Sequence, residues 1–543
     1  MNLHRISLFT AVALTLLSCK EPLPRPVIRI IPQPVEVVEQ DGLFLITPAT
    51  KIEIDNGNDQ LRTIAGFLTA HIEKYFGISN SIVYSGFGAK QSVQLKLNEN
   101  LKIGKEDYHL TVLPSGVIIE AIAPNGLFYG VQTLIQLMPP SPKNLNELII
   151  PGVEIKDTPR FAWRGLQLDV SRHFMPKSFI LKYLDEMAMH KFNTFHWHLT
   201  DDQGWRIEIK KYPKLTEIGS VRKQTILGHI NNIAGTDTIA SEGYYSQNDV
   251  REIIAYATER FITVLPGIEM PGHALAALAA YPELGCTSAN YEVGTRWGIF
   301  SDTFCPGKEG TYTFIKEVMT EIGTLFPGKY VHIGGAESPQ IRWEKCPDCQ
   351  LRIRRDTLDL TTGLHNYFVK RVSNILDSLG KISVTWNLLP KDTSSSKGVV
   401  ISWQNGEEAN AVARKKIKTV QSPVKYCNFD QYQADPSREP LAVGGLLTLE
   451  EVYNFDPISV NLSIPDGKYI IGAQANIWTP YMKTPLFVEY MTFPRAAAFS
   501  EVLWSPKAAR NYPWFKKRLL VQLKRYESEG ITFCKSEFKS AVN

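Results

Sequence analysis

The sequence predicts a small α/β domain followed by a (β/α)₈ barrel. Three observations carry that expectation. Between about residues 156 and 505, eight short apolar runs alternate with amphipathic segments of helical spacing. Polar or aromatic residues follow nearly every run, as the active rim of a barrel requires. No Gly-rich phosphate fingerprint or P-loop supports the rival architecture, a doubly wound open sheet.

The elements follow in order. Met1 to Arg5 is positively charged and Ile6 to Leu17 is apolar but too short to span a bilayer, so residues 1–18 read as an export signal. The run ends Leu16-Leu17-Ser18-Cys19, similar to a bacterial lipoprotein cleavage box with Cys19 as the lipidated residue. Such an anchor would place the protein in the cell envelope. Residues 19–35 are Pro-rich and suit an extended tether. Residues 36–155 form the first domain. Gln60–Phe76 and Gly126–Met138 have helical apolar spacing, and Tyr108–Val112 and Val117–Ile122 alternate as strands about Pro114-Ser115-Gly116.

The barrel occupies 156–505. Its strand candidates are Gly165–Val170, Thr194–His198, Thr263–Ile268, Tyr330–Ile333, Ile382–Trp386, Val399–Trp403, Lys418–Val420 and Tyr469–Gln474. Helices are expected at Ser178–His190, Asp249–Arg260, Tyr312–Thr324 and Thr362–Leu379, with a closing helix in 506–543.

Composition narrows the class. A chain of 543 residues has room for more than one domain, and 44% hydrophobic with 21% charged residues is a globular balance. A net charge of +4 gives no reason to invoke nucleic acid, so any membrane contact is expected through the lipid anchor alone. Six Cys follow Cys19. Cys286 and Cys305 flank one loop, and Cys346-Pro347-Asp348-Cys349 is a C-x-x-C pair. No second C-x-x-C or His pair supplies the remaining ligands of a zinc site, so the expectation is a local disulfide or buried thiols, with no metal and no cofactor.

Several segments carry chemistry. Tyr330-Val331-His332-Ile333-Gly334-Gly335-Ala336-Glu337 reads as a buried strand running into a Gly-Gly turn that presents one carboxylate at a cleft mouth. Burial there favours a proton-donating acid, so Glu337 is the candidate general acid. Glu269-Met270-Pro271-Gly272-His273 follows the third strand, and a carboxylate paired with a His would tune its proton affinity. Trp386, Trp403 and Trp478 sit at or just past the ends of the fifth, sixth and eighth strands. Barrel interiors prefer branched aliphatics, so three Trp there are a poor fit to core packing. Arg164 in Phe161-Ala162-Trp163-Arg164-Gly165 offers a donor fork for hydroxyls, or a structural pair with Asp169. Asp201 and Asp202 close the second strand among aromatic residues.

Together these segments resemble glycoside hydrolase family 20, the exo-β-N-acetylhexosaminidases, over roughly residues 100 to 520. Asp107-Tyr108-His109-Leu110 and Gly126-Leu127-Phe128-Tyr129-Gly130 resemble its N-terminal accessory domain. The resemblance implies a glycan substrate, Glu337 as acid supported by Glu269 and His273, sugar-hydroxyl contacts from Arg164, hydrogen-bonding support from Asp201 and Asp202, and a pocket walled by the three Trp. It also implies a substrate-assisted mechanism, in which the sugar's own 2-acetamido oxygen attacks C1.

The chain departs from the family pattern where that acetamide is handled. The Asp before the acid is Ala336. The Tyr-x-Asp motif is Asn428-Phe429-Asp430. The Trp-x-Glu is Trp478-Thr479-Pro480, and the Trp-Asp-Glu is Trp386-Asn387-Leu388. The expectation is a β-N-acetylhexosaminidase-like hydrolase. The alternatives are a glycosidase for a different terminal sugar, or a catalytically silent glycan-binding lipoprotein.

Overall fold

The structure, a computed structural model, describes residues 26–55, 57–86, 91–140, 145–287, 289–387 and 398–538. Cys19, its signal and Leu388 lie outside them.

The first domain is a seven-stranded mixed sheet built from Glu36–Ile46, Lys51–Ile54, Ser81–Tyr84, Val93–Leu97, Tyr108–Leu113, Gly116–Ala121 and Leu148–Asp157. The helices Asp59–Phe76 and Pro124–Leu137 pack on it. The first helix starts where the Asn58 side chain accepts from the backbone N–H groups of Gln60 and Leu61, and it stops at Gly77, whose φ of 71° ends the right-handed path. Its buried face is Leu61, Ile64, Ala65, Leu68, Ile72 and Phe76. That spacing is one helical stripe, and each large apolar side chain on it contributes about 1.5–3 kcal/mol by leaving water.

Residues 30–33, expected to belong to an extended tether, pack on the folded body. Ile30 and Ile31 are buried, the Ile31 N–H donates to Gln136 Oε1 at 2.8 Å, and the Gln33 N–H donates to Glu501 at 3.0 Å. A Pro-rich composition suggested extension, but apolar burial holds these residues against the body.

The barrel closes as predicted. Trp163–Asp169, Thr194–Asp201, Thr263–Met270, Tyr330–Gly334, Ile382–Trp386, Val399–Ser402, Lys418–Gln421 and Ile470–Ile477 pair in sequence order, all parallel, and the last pairs with the first. Helices Lys177–Met189, Gln247–Glu259, Glu309–Leu325 and Leu360–Ser378 stand where amphipathic spacing placed them. The interior has a small apolar plug of Trp163, Leu265, Val384, Val399, Ile401 and Val420. His196, His332 and Gln474 also point inward, with Gln474 Nε2 3.0 Å from His196 Nδ1. The terminal helix Tyr512–Glu529 braces both parts: Arg518 forks onto Glu501 at 2.6 and 2.7 Å, and Arg525 donates to the carbonyl oxygens of Gln136 and Met138. Among the described residues no helix is long and apolar enough to cross a membrane.

Candidate active site

A cavity of about 280 Å³ opens at the carboxyl ends of the barrel strands. Its wall includes Arg172, His198, Asp201, Glu269, His273, Ala336, Glu337, Trp386, Trp403, Asn428, Asp430, Asn476, Trp478 and Pro480. All of these lie in the carboxyl-terminal halves of barrel strands or in the loops that follow them, where barrel loops converge.

Glu337 reaches the cavity through the Gly-Gly turn. Gly334 has φ 70°, a left-handed conformation that favours Gly, and a Cβ there would also push against Glu269, 2.0 Å from its Oε2. Glu337 itself has φ 49° and His273 has φ 53°. Non-Gly residues in this region cost about 1 kcal/mol or more and tend to mark sites where surrounding contacts fix the backbone. Here the Gly335 N–H donates to Met270 O at 2.9 Å and the Gly272 N–H to Ser338 Oγ at 3.2 Å, locking the third and fourth strand ends together.

The acid sits at the head of a relay. Glu337 Oε2 is 3.2 Å from His273 Nε2, and its side chain is 39% exposed, so it faces both the ring and the cavity. His273 Nδ1 lies 3.0 Å from Asp201 Oδ1 and 3.0 Å from Asp202 Oδ2. Burial opposes a proton on this ring. The charge of Asp201 and the hydrogen bonds to Asp201, Asp202 and Glu337 outweigh it and hold the imidazole well above its ordinary range. Asp201 stays ionised despite burial because Arg172 sits 2.8 Å away and His273 and His198 bond to it. Asp202 is raised by burial, and its other oxygen accepts from the Leu275 N–H at 3.1 Å. This arrangement suits general acid–base work: an acid at the cavity, backed by a cation whose charge is set by two carboxylates.

Three expectations require correction. Glu269 is not the partner of His273. It accepts from Trp386 Nε1 at 3.1 Å and lies 3.7 Å from His198 Nδ1, with burial raising its pKa. Glu269 and His273 are near neighbours in sequence, but the chain leaves the strand between them, and Asp201 and Asp202 come in from the neighbouring strand. Asp202, expected beside Asp201 as hydrogen-bonding support for the cleft, does not line the cavity. It is fully buried behind His273 and acts as that ring's positioning residue.

Arg164 is the larger correction. It is the second residue of its strand and so lies at the amino end, remote from the cavity. Its guanidinium bonds to Glu106 at 2.7 and 3.0 Å, to Tyr129 Oη at 3.0 Å and to the carbonyls of Phe161 and Lys191, joining the first domain to the barrel. The partner is Glu106, not Asp169. Arg172, just beyond Asp169, occupies the cavity instead, bonded to Asp169 and Asp201. The rule that barrel chemistry sits at strand carboxyl ends would have selected Arg172. His198 and Asn476 also line the cavity and were not singled out, although His198 ends the second strand candidate and Asn476 lies just past the eighth, the position the barrel rule points to.

The remaining expected positions converge. Trp386, Trp403 and Trp478 wall the cavity, with Trp386 and Trp478 ring centres 5.9 Å apart. Ala336 presents a methyl group against this cluster. Asn428 Oδ1 accepts from Asn476 Nδ2 at 3.1 Å, which leaves its amide NH₂ as the end available to a ligand. Asp430 is pushed up to about 7 by burial, and its Oδ1 has no protein partner.

A barrel whose carboxyl rim joins a histidine-backed acid to a Trp-walled cavity defines a glycosidase-type fold and site. The sequence matches the catalytic domain of glycosyl hydrolase family 20 over residues 161–507 and that family's domain 2 over residues 27–158. The chain belongs to glycosyl hydrolase family 20. It is 38% identical over 511 residues to a β-hexosaminidase of Porphyromonas gingivalis, covering 93% of this chain and 64% of that protein's length. Among solved structures it is similar to the family 20 β-N-acetylhexosaminidase of Streptomyces coelicolor, at 30% identity and TM-score 0.82 over 96% of this chain and 99% of that one. The exo-β-N-acetylglucosaminidase of Vibrio harveyi, solved with N-acetylglucosamine, superposes at TM-score 0.83 with 29% identity over 94% of this chain and 79% of that one.

Proposed function

We propose that the protein is an exo-acting glycoside hydrolase of the β-N-acetylhexosaminidase type, removing terminal β-linked hexosamine or N-acetylhexosamine from glycans. The observation that carries the reading is the Glu337–His273–Asp201/Asp202 relay opening onto the Trp-walled cavity. In this reading Glu337 protonates the leaving oxygen, His273 holds the proton inventory behind it, and the terminal ring stacks among Trp386, Trp403 and Trp478. Arg172 and Asp430 are the polar groups for ring hydroxyls.

The finer part of the proposal concerns the 2-acetamido group. Ala336 offers a methyl where an acetamide N–H would seek an acceptor, and Asn428 offers a neutral amide where the family has a Tyr. Losing one charge-stabilising group commonly costs about 10²–10³ in rate. Substrate assistance is therefore weak, and simple N-acetylglucosaminides are slow substrates beside another or a decorated terminal sugar. If catalysis runs without assistance, Glu269 and Asp430 are the cavity carboxylates left once Glu337 serves as acid and Asp201 is held by His273 and Arg172. Asp202, sealed behind His273, is not.

A panel of aryl β-glycosides differing only at C2 tests the reading, assayed beside the Ala336→Asp, Asn428→Tyr double variant. A gain of about 10²-fold on the N-acetyl substrate in the double variant supports weakened assistance. Full activity of the unmodified protein on that substrate, inhibited by a thiazoline mimic, sinks it. No turnover of any glycoside, with retained sugar binding, would favour the silent glycan-binding alternative. We further propose envelope anchoring through lipidated Cys19; a Cys19→Ala variant that stays membrane-bound would refute it.

A further inference from the structure

We infer that Cys286, Cys305, Cys346 and Cys349 form a tetrathiolate zinc site that staples the loop after the third barrel strand to the loop after the fourth. The spacing of these residues in sequence argued against zinc. The fold reverses that, because the missing second pair of ligands is Cys286 and Cys305.

The geometry is that of a coordination shell. All four Sγ atoms lie within 4.8 Å of one another. The Cys305–Cys349 separation is 3.5 Å, Cys305–Cys346 3.7 Å and Cys286–Cys349 3.8 Å. A tetrahedral zinc with Zn–S bonds of about 2.3 Å has S···S edges of about 3.8 Å. A disulfide needs about 2.05 Å and segregates sulfurs into exclusive pairs. Here Cys305 is near-equidistant from two partners, and so is Cys349. Four soft thiolates in a tetrahedral set select zinc among common divalent ions, with iron as the chemical neighbour.

The surroundings are built for it. The Cys305 N–H donates to Leu284 O at 2.8 Å, and Gly285 bridges Phe304, so two chain segments present adjacent thiols. Cys346 caps the helix Pro347–Arg355 and Cys349 lies in its first turn. A Cβ on Gly307 would lie 2.3 Å from the Asp348 carbonyl carbon, so only Gly lets the two segments meet this closely. Trp343 is fully buried beside the thiols, and its Nε1 donates to Phe304 O at 3.2 Å. Three of the four thiols are buried, which keeps water from competing for the metal. The first loop begins at Glu269 and His273 and the second carries Glu337, so the site fixes the spacing of the catalytic relay from outside.

The test uses the full chain purified without reductant or chelator. Elemental analysis is expected to give about one zinc per chain. Titration with an organomercurial should release that zinc in step with four thiols. Cobalt exchanged into the protein should show the intense thiolate-to-metal charge-transfer bands of a tetrahedral tetrathiolate. A Cys305→Ser, Cys349→Ser double variant should lose the metal and melt at lower temperature. If it does not fold, the titration and the cobalt spectrum of the unmodified chain still decide. Less than about one metal per ten chains, or a denatured, unreduced chain about four mass units lighter than the reduced one, would establish two disulfides instead and overturn the inference. Stoichiometric iron in place of zinc would overturn the choice of metal.

Discussion

The substitution Asp430→Asn should change the pH dependence of stability in a direction opposite to that of most carboxylates. Burial lifts this carboxyl from an ordinary 3.8 to about 7, with Arg495 and Arg172 only partly offsetting it. A rise of about three units corresponds to about 4 kcal/mol, at about 1.4 kcal/mol per unit. The sign follows from linkage. The folded state holds the proton more tightly than the unfolded state, so the contribution is fully present below about pH 4 and is lost as pH rises through about 7. An Asn side chain has no proton to lose in this range. The stability gap between the Asp430→Asn variant and the unmodified protein should therefore move in favour of the variant by roughly 3 kcal/mol between about pH 4.5 and 8, an upper bound because water in the cavity relaxes the penalty. Taking the difference between the two proteins cancels titrations elsewhere. Urea or thermal unfolding at the two pH values measures it. A gap that does not change with pH, or that moves against the variant, would show that Asp430 is not held neutral by burial. The same substitution should weaken sugar binding at both pH values if Asp430, a residue of the cavity wall, contacts the sugar.

Other perturbations separate the roles assigned above. Glu337→Gln should slow glycosides with poor leaving groups by about 10²–10⁴ and activated aryl glycosides far less, measured as kcat/KM on a leaving-group series. Arg164→Met should destabilise the fold by about 3–5 kcal/mol, because it leaves Glu106 without its buried partner, while KM stays unchanged; Arg172→Met should instead raise KM. A KM effect at Arg164 would restore the substrate-contact reading. Asp202→Asn removes a carboxylate from His273 Nδ1 and lowers the ring's proton affinity, so the alkaline limb of the kcat/KM profile should move to lower pH. An unmoved limb would place control of the ring with Asp201 alone.

The barrel, its strands in order, the strand-end carboxylate Glu337 and the Trp wall were legible in the sequence. Each of those is written locally. A buried strand is a short apolar run, a helix is a 3.6-residue stripe, and Glu337 and the three Trp stand at or directly after the runs that carry them. Local signals also supplied the Gly-Gly turn, although only the structure shows that Gly334 takes a left-handed φ beside Glu269. What tertiary structure decided are the pairings between segments distant in sequence. Which carboxylates face His273 depends on how the second strand registers against the third, and Asp201 and Asp202 prevail over the nearer Glu269. Whether an Arg lines the cavity or joins domains depends on which end of the strand it occupies; Arg164 and Arg172 are eight residues apart in sequence and at opposite ends of the barrel wall. The four thiols come from two loops about 40 to 60 residues apart and meet only because adjacent parallel strands bring their following loops together. Periodicity and turn chemistry are short-range properties of the chain, whereas partner choice is set by the closure of the barrel.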